Sequence, residues 1–110
     1  MILITGPLYS GKRTVAAQLL GRPPEAWGDA VLADAQKLAP TAADLTALAN
    51  QLARYSMVIV TEVGGGVVPV DPQQRMAREA AGRLACLLAE RADTVIRVFC
   101  GIPTVLKGEM

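Results

Sequence analysis

The chain contains no histidine. That removes imidazole as a general acid or base, as a zinc ligand, and as a nucleophile that could carry a phosphoryl or nucleotidyl group. Aromatic residues are also scarce, at 4%, while alanine, valine and leucine dominate a hydrophobic fraction of 52%. Such a composition suits helices packed closely on a parallel sheet better than a β-sandwich. Cys86 and Cys100 form no C-x-x-C pair, and lone cysteines of this kind are expected to be reduced, buried and structural, as in a cytosolic protein. A net charge of +1 gives no electrostatic case for nucleic acid or a membrane surface as partner. Long apolar runs are missing too: the opening stretch Met1 to Thr5 meets a polar glycine loop too soon to be a signal peptide or a membrane span. With 110 residues, the expectation is one domain on one core, without repeats or linkers.

What is present begins with Gly6-Pro7-Leu8-Tyr9-Ser10-Gly11-Lys12, set between the apolar run and a helical stretch from Lys12 to Leu20. Strand, glycine-bounded loop and helix in that order fit a phosphate-binding loop of the G-x-x-x-x-G-K-[ST] type. In such a loop backbone N–H groups point inward at phosphate oxygens, aided by the helix dipole. Glycine is required where a side chain would block the backbone angles or the close approach. Lys12 adds a cation for the outer phosphates, and the next residue normally offers a hydroxyl to Mg²⁺. Here that residue is Arg13, and Thr14 stands one position too late to replace it. The residues from Gly6 through Arg13 to Thr14 are therefore the expected contacts of a nucleotide, ATP or GTP, with Mg²⁺ as its companion.

Further along, Gly21 and Pro23-Pro24 end the first helix, which is expected to turn Val15, Leu19 and Leu20 toward the sheet. Trp27 either packs on a core edge, the preferred reading, or stacks on a base. Asp29 to Asp34 reads as a second strand ending in a carboxylate. Thr41 to Tyr55 reads as a helix in which Thr41 and Asp44 form a capping box and Leu45, Leu48 and Leu52 share a face. Met57 to Val60 is a third strand, followed by Glu62 and the glycines Gly64 to Gly66. Asp71-Pro72-Gln73-Gln74 marks a helix start; that helix runs to about Arg91, with Met76, Ala80, Leu84, Leu87 and Leu88 as its buried stripe and Ala81, Gly82 and Ala85 allowing close approach. Thr94 to Phe99 is a last strand, and Gly101-Ile102-Pro103 a turn into the tail. The expected fold is thus α/β, a mostly parallel sheet flanked by helices of the P-loop NTPase (RecA-like) kind, with its ligand crevice beyond the carboxyl ends of the strands. Phosphoryl transfer there needs positioned phosphates, cations and a carboxylate. Lys12 and Glu62 are the catalytic candidates, and Asp34, or failing it Glu62, is the metal candidate. A helix cap or a surface ion pair is the alternative for either carboxylate. Gly64 and Gly66 would let backbone approach a ligand, and Arg75 and Arg78 would bind anions or simply decorate a helix.

The segment Thr61-Glu62-Val63-Gly64-Gly65-Gly66-Val67-Val68-Pro69 resembles the Asn-Glu-Val-Gly-x-Gly-x-Val-Pro string of the bifunctional adenosylcobinamide kinase/adenosylcobinamide-phosphate guanylyltransferase family of cobalamin biosynthesis. Arg75 and Arg78, Gly82-Arg83-Leu84, Ala92-Asp93, and Gly101-Ile102-Pro103 followed by Lys107 are similar to later family motifs, with Ala85 where the family has Asn. The resemblance implies nucleotide binding, a corrinoid (cobinamide) substrate, kinase activity and a homotrimer. It also implies a guanylyl-accepting histidine in a stretch between the first helix and the acidic strand end, and this shorter chain has none. Arg13 and Thr61 stand where the family has Ser and Asn. Two functions follow as expectations: a kinase reduced to one activity, or a nucleotide- or corrinoid-binding module or regulatory partner of a full-length enzyme that does not turn over.

Overall fold

Residues 2 to 6, Ile-Leu-Ile-Thr-Gly, form a strand that must be covered on both sides, because its successive side chains point to opposite faces and nearly all are apolar. The computed structural model describes residues 1–63 and 71–110. Its strands are β1 (Ile2–Gly6), β2 (Val31–Leu32), β3 (Met57–Thr61), β4 (Thr94–Phe99) and β5 (Ile102–Lys107), and its helices are α1 (Lys12–Leu20), α2 (Leu45–Leu52) and α3 (Pro72–Arg91). The strands make one sheet in the order β2-β3-β1-β4-β5. β1 is central and parallel to both neighbours, with Ile2 opposite Met57 on one side and Thr94 on the other. Leu3 joins Val58, Val60 and Val95 beneath α2 and α3, whereas Ile4 joins Met57, Ile59, Ile96 and Val98 beneath α1. The result is the expected three-layer α/β arrangement, mostly parallel, of the P-loop NTPase-like kind.

Several local readings change. In α1, Val15 and Ala16 carry the buried face and Leu20 packs beside them, leaving Leu19 at the margin, 37% exposed. The second strand is limited to Val31–Leu32 because Gly28–Ala30 closes a 3₁₀ turn before it and Asp34 adopts left-handed angles (φ 57, ψ 41) after it. A 3₁₀ segment, Ala35–Thr41, takes up the next residues. Thr41 therefore caps nothing: Asp44 is itself the N-cap of α2, its carboxylate accepting from the N–H groups of Thr46 and Ala47. Leu45, Leu48 and Leu52 do share the packed face.

α3 starts where expected, with Asp71 accepting from the N–H of Gln73. Leu84 and Leu88 are fully buried on it, but Met76 is 69% exposed, and the Ala81 side packs instead. Gly82 is not a close-approach site, since nothing among the described residues lies within 4 Å of where its Cβ would be. The supposed turn into a tail is a fifth strand: Cys100 and Gly101, at φ 52 and 76, turn the chain so that Ile102–Lys107 runs antiparallel to β4. Pro103 is tolerated there because β5 is an edge strand. Cys86 and Cys100 are free but exposed, not buried. Trp27 is packed, 6% exposed in the α1-side core, and its indole N–H donates to the Arg22 carbonyl at 3.1 Å. Among the described residues no helix is long and apolar enough to cross a membrane.

The two leucines should behave differently on truncation. Leu84→Ala is expected to cost about 2 to 5 kcal/mol, and Leu19→Ala less than about 1 kcal/mol, in equilibrium denaturant unfolding.

Candidate functional site

β1 and β3 end side by side, Gly6 opposite Thr61, and the N–H of Glu62 donates to the Gly6 carbonyl at 2.8 Å. The loop that leaves Gly6 is pressed against the neighbouring strand. A Cβ on Gly6 would run into the Val98 carbonyl oxygen and come within 2.8 Å of Ser10 Oγ, so only glycine fits. Gly11, the N-cap of α1, sits at φ 94, and its missing side chain leaves room for Gly101 of the β4–β5 turn. That turn clamps the loop from outside through Gly101 N–H to Ser10 carbonyl, 2.7 Å.

Lys12 is the first residue of α1 and only 7% exposed; its ammonium donates to the Pro7 carbonyl at 2.6 Å. Burial pulls its pKa below the ordinary lysine value, the carboxylates of Asp34 and Glu62 pull it back up, and the Arg13 cation adds to the depression. Ser10 Oγ is buried without a hydrogen-bond partner, the one such side-chain atom among the described residues. The first turn of α1 adds backbone N–H groups with no intrahelical acceptor. A partly desolvated cation, an unsatisfied hydroxyl and a set of free donors converge on one spot, which is what an anionic oxygen group such as phosphate requires.

These residues open on a cleft of about 570 Å³ lined by Leu8 to Thr14 together with Asp34, Gln36, Lys37, Ile59 and Thr61. The structure thus brings the loop, Lys12 and Asp34 together. Asp34 faces Arg13, with Nη2 to Oδ2 at 3.3 Å. Gln36 ties this side to the sheet, its Oε1 accepting from Thr61 N–H at 3.0 Å. Glu62 lies just past β3 and is gripped by Arg97 of β4 in a two-pronged ion pair, Nε to Oε1 2.7 Å and Nη2 to Oε2 3.0 Å. Because β3 and β4 flank β1, this pair arches over the end of the central strand. The Glu62 partner also raises the basicity of the Arg97 guanidinium. Neither Arg97 nor Gln36 nor Lys37 was anticipated. Arg97 carried a signal, as the one charge in an otherwise apolar or uncharged strand, Thr94–Phe99.

Residues 25–106 match the model of the cobinamide kinase / cobinamide phosphate guanyltransferase family. The chain belongs to that family. No curated protein matches it. The family match takes in β2, α2, β3, α3, β4 and most of β5, and with them Asp34, Glu62, Arg75, Arg78 and Arg97. The phosphate loop precedes the matched stretch, so its reading stands on the geometry above. Family membership supports a function of the cobinamide kinase or guanyltransferase type in general.

The remaining expected residues are less central. Arg78 lines a second cavity of about 430 Å³, with Pro40, Val63, Gln74 and the same Gln36 and Lys37 that border the first, while Arg75 is exposed on the first turn of α3. Gly64 and Gly66 lie outside the described residues. Nor do the described residues fit a Mg²⁺ ion held in the usual way of such loops. Arg13 stands where the hydroxyl would be, Asp34 and Glu62 each face a guanidinium, and among the described residues no three acidic or cysteine side chains converge.

The charges around Lys12 make a test. In ¹³C NMR of lysine side chains, Lys12 should titrate below the ordinary lysine value. Removing a supporting carboxylate in Asp34→Asn should lower its pKa further, whereas removing the competing cation in Arg13→Ala should raise it.

Proposed function

We propose that the chain binds ATP or GTP through residues 6 to 14 and transfers the γ-phosphoryl group to the aminopropanol hydroxyl of adenosylcobinamide. The observation that carries this reading is the buried, unpaired Ser10 hydroxyl beside the partly desolvated Lys12 ammonium at the head of α1. It makes the loop an anion site, in a chain whose family includes cobinamide kinases. Lys12 and the first amides of α1 hold the outer phosphates and take up charge as the γ-phosphoryl group moves. Glu62, fixed by Arg97, orients the attacking hydroxyl and accepts its proton. Arg75 and Arg78 add cations on the corrinoid side. The residues do not fit a loop-bound Mg²⁺, so no step is assigned to one. Assembly as a homotrimer and a cytoplasmic setting belong to the same proposal.

Guanylyl transfer is not part of it, because the chain offers no histidine to carry the nucleotide. Intact mass after incubation with GTP and Mg²⁺ should show no added GMP; a stable adduct would reveal another nucleophile.

A second reading, a nucleotide- or corrinoid-binding module or regulatory partner of a full-length enzyme without turnover, is favoured by Arg13 and its pairing with Asp34. One experiment separates the two. Label moving from γ-labelled ATP or GTP to adenosylcobinamide supports the kinase, and nucleotide binding without transfer supports the module. In either case Lys12→Ala should weaken nucleotide binding by about 1 to 3 kcal/mol in titration calorimetry, the scale of a hydrogen bond to a charged group. No heat with ATP, GTP or their diphosphates would end the nucleotide reading.

A further inference from the structure

We infer that Arg13 is a built-in cation that takes the place of the divalent metal at this phosphate loop, so that nucleotide phosphates bind here without requiring Mg²⁺. The inference rests on the nucleotide reading proposed above and goes beyond it.

Three observations carry it. Arg13 directly follows Lys12 in the first turn of α1, where loops of this kind place the hydroxyl that ligates the metal. A guanidinium has five donors, no acceptor and a permanent charge; it cannot ligate a cation and repels one, but its planar fork matches phosphate oxygens. Next, the carboxylate best placed to hold a metal, Asp34, already faces this guanidinium at 3.3 Å, and both line the same cleft. The alternative carboxylate, Glu62, already holds the Arg97 cation on both oxygens, which leaves lone pairs for a neutral hydroxyl but disfavours a second cation beside it. Finally, among the described residues the charged side chains lining the cleft are Lys12, Arg13 and Lys37 against Asp34. That surplus of positive charge attracts a polyphosphate and disfavours a free dication.

The pair between Arg13 and Asp34 is no obstacle to this role. Its side chains are 56% and 38% exposed, and an exposed ion pair is worth little. A polyphosphate carries more negative charge than one carboxylate, and it can draw the guanidinium from Asp34 onto its own oxygens. A dication arriving at Asp34 has to displace the guanidinium and stay close to it.

Titration calorimetry of the full chain with ATP and with GTP, each in excess Mg²⁺ and in EDTA, tests the inference, with Arg13→Ser and Arg13→Gln measured alongside. Removing Mg²⁺ should change wild-type affinity by less than about fivefold, and both variants should bind metal-free nucleotide more weakly than wild type by more than about fivefold, the scale of a lost charge-assisted contact. A larger loss for the wild type in EDTA would overturn the inference and show that other residues build a metal site. Metal-free binding by the variants equal to wild type would also overturn it, because Arg13 would then not touch the phosphates. Absence of wild-type binding under both conditions would remove the nucleotide reading itself, an outcome distinct from either of these. Arg13 is exposed and outside the core, and thermal melts of both variants check that they fold like the wild type.

Discussion

At Gly6 the central strand runs out of room. Any side chain there would overlap the Val98 carbonyl of β4 and crowd Ser10, and so the chain can leave the sheet only along the tight path that the glycine permits. The rest of the site depends on that closeness. It holds the loop against β4, lets the β4–β5 turn clamp Ser10, and delivers Lys12 to the head of α1 with its ammonium turned back on the loop's own Pro7 carbonyl. Burial of β1 on both faces makes the arrangement rigid from below: Leu3 and Ile4 anchor the strand in opposite cores, and the loop inherits their fixed position.

Much of this was legible in the sequence, for physical reasons that also mark where legibility ended. A doubly covered strand must be apolar throughout, and the loop must space its glycines as it does, so Ile2 to Lys12 announced both. Asp71-Pro72 announced α3 because cap and proline act locally. The start of α2 was placed too early, at Thr41, since Thr41 and Asp44 can each cap a helix; a 3₁₀ segment ending at Thr41 leaves the cap to Asp44. β5 left no alternation to read, because most of it lies exposed on an edge. The pair of Glu62 with Arg97 joins residues 35 apart in sequence. It exists only because β3 and β4 sit on either side of β1, a fact of sheet order that no local pattern encodes.

The family match and the loop geometry are complementary evidence. The match covers Asp34, Glu62, Arg97 and the side of the cleft formed by Gln36, Lys37, Ile59 and Thr61, and the geometry covers the loop residues that precede it, Arg13 among them. The loop departs from its usual form at Arg13, next to Asp34, the one carboxylate among the described residues that lines the same cleft. A substitution that adds a permanent positive charge at a phosphate site alters which ions the site tolerates, even where it leaves the backbone unchanged.

Gln36 and Lys37 border two cavities at once, the cleft at the phosphate loop and the pocket beside the start of α3. They belong to a 3₁₀ segment whose beginning is tied to the sheet through Gln36 and Thr61. A shared wall makes the two spaces interdependent. A molecule that shifted either side chain from one space would reshape the other, and any such coupling would act equally in both directions.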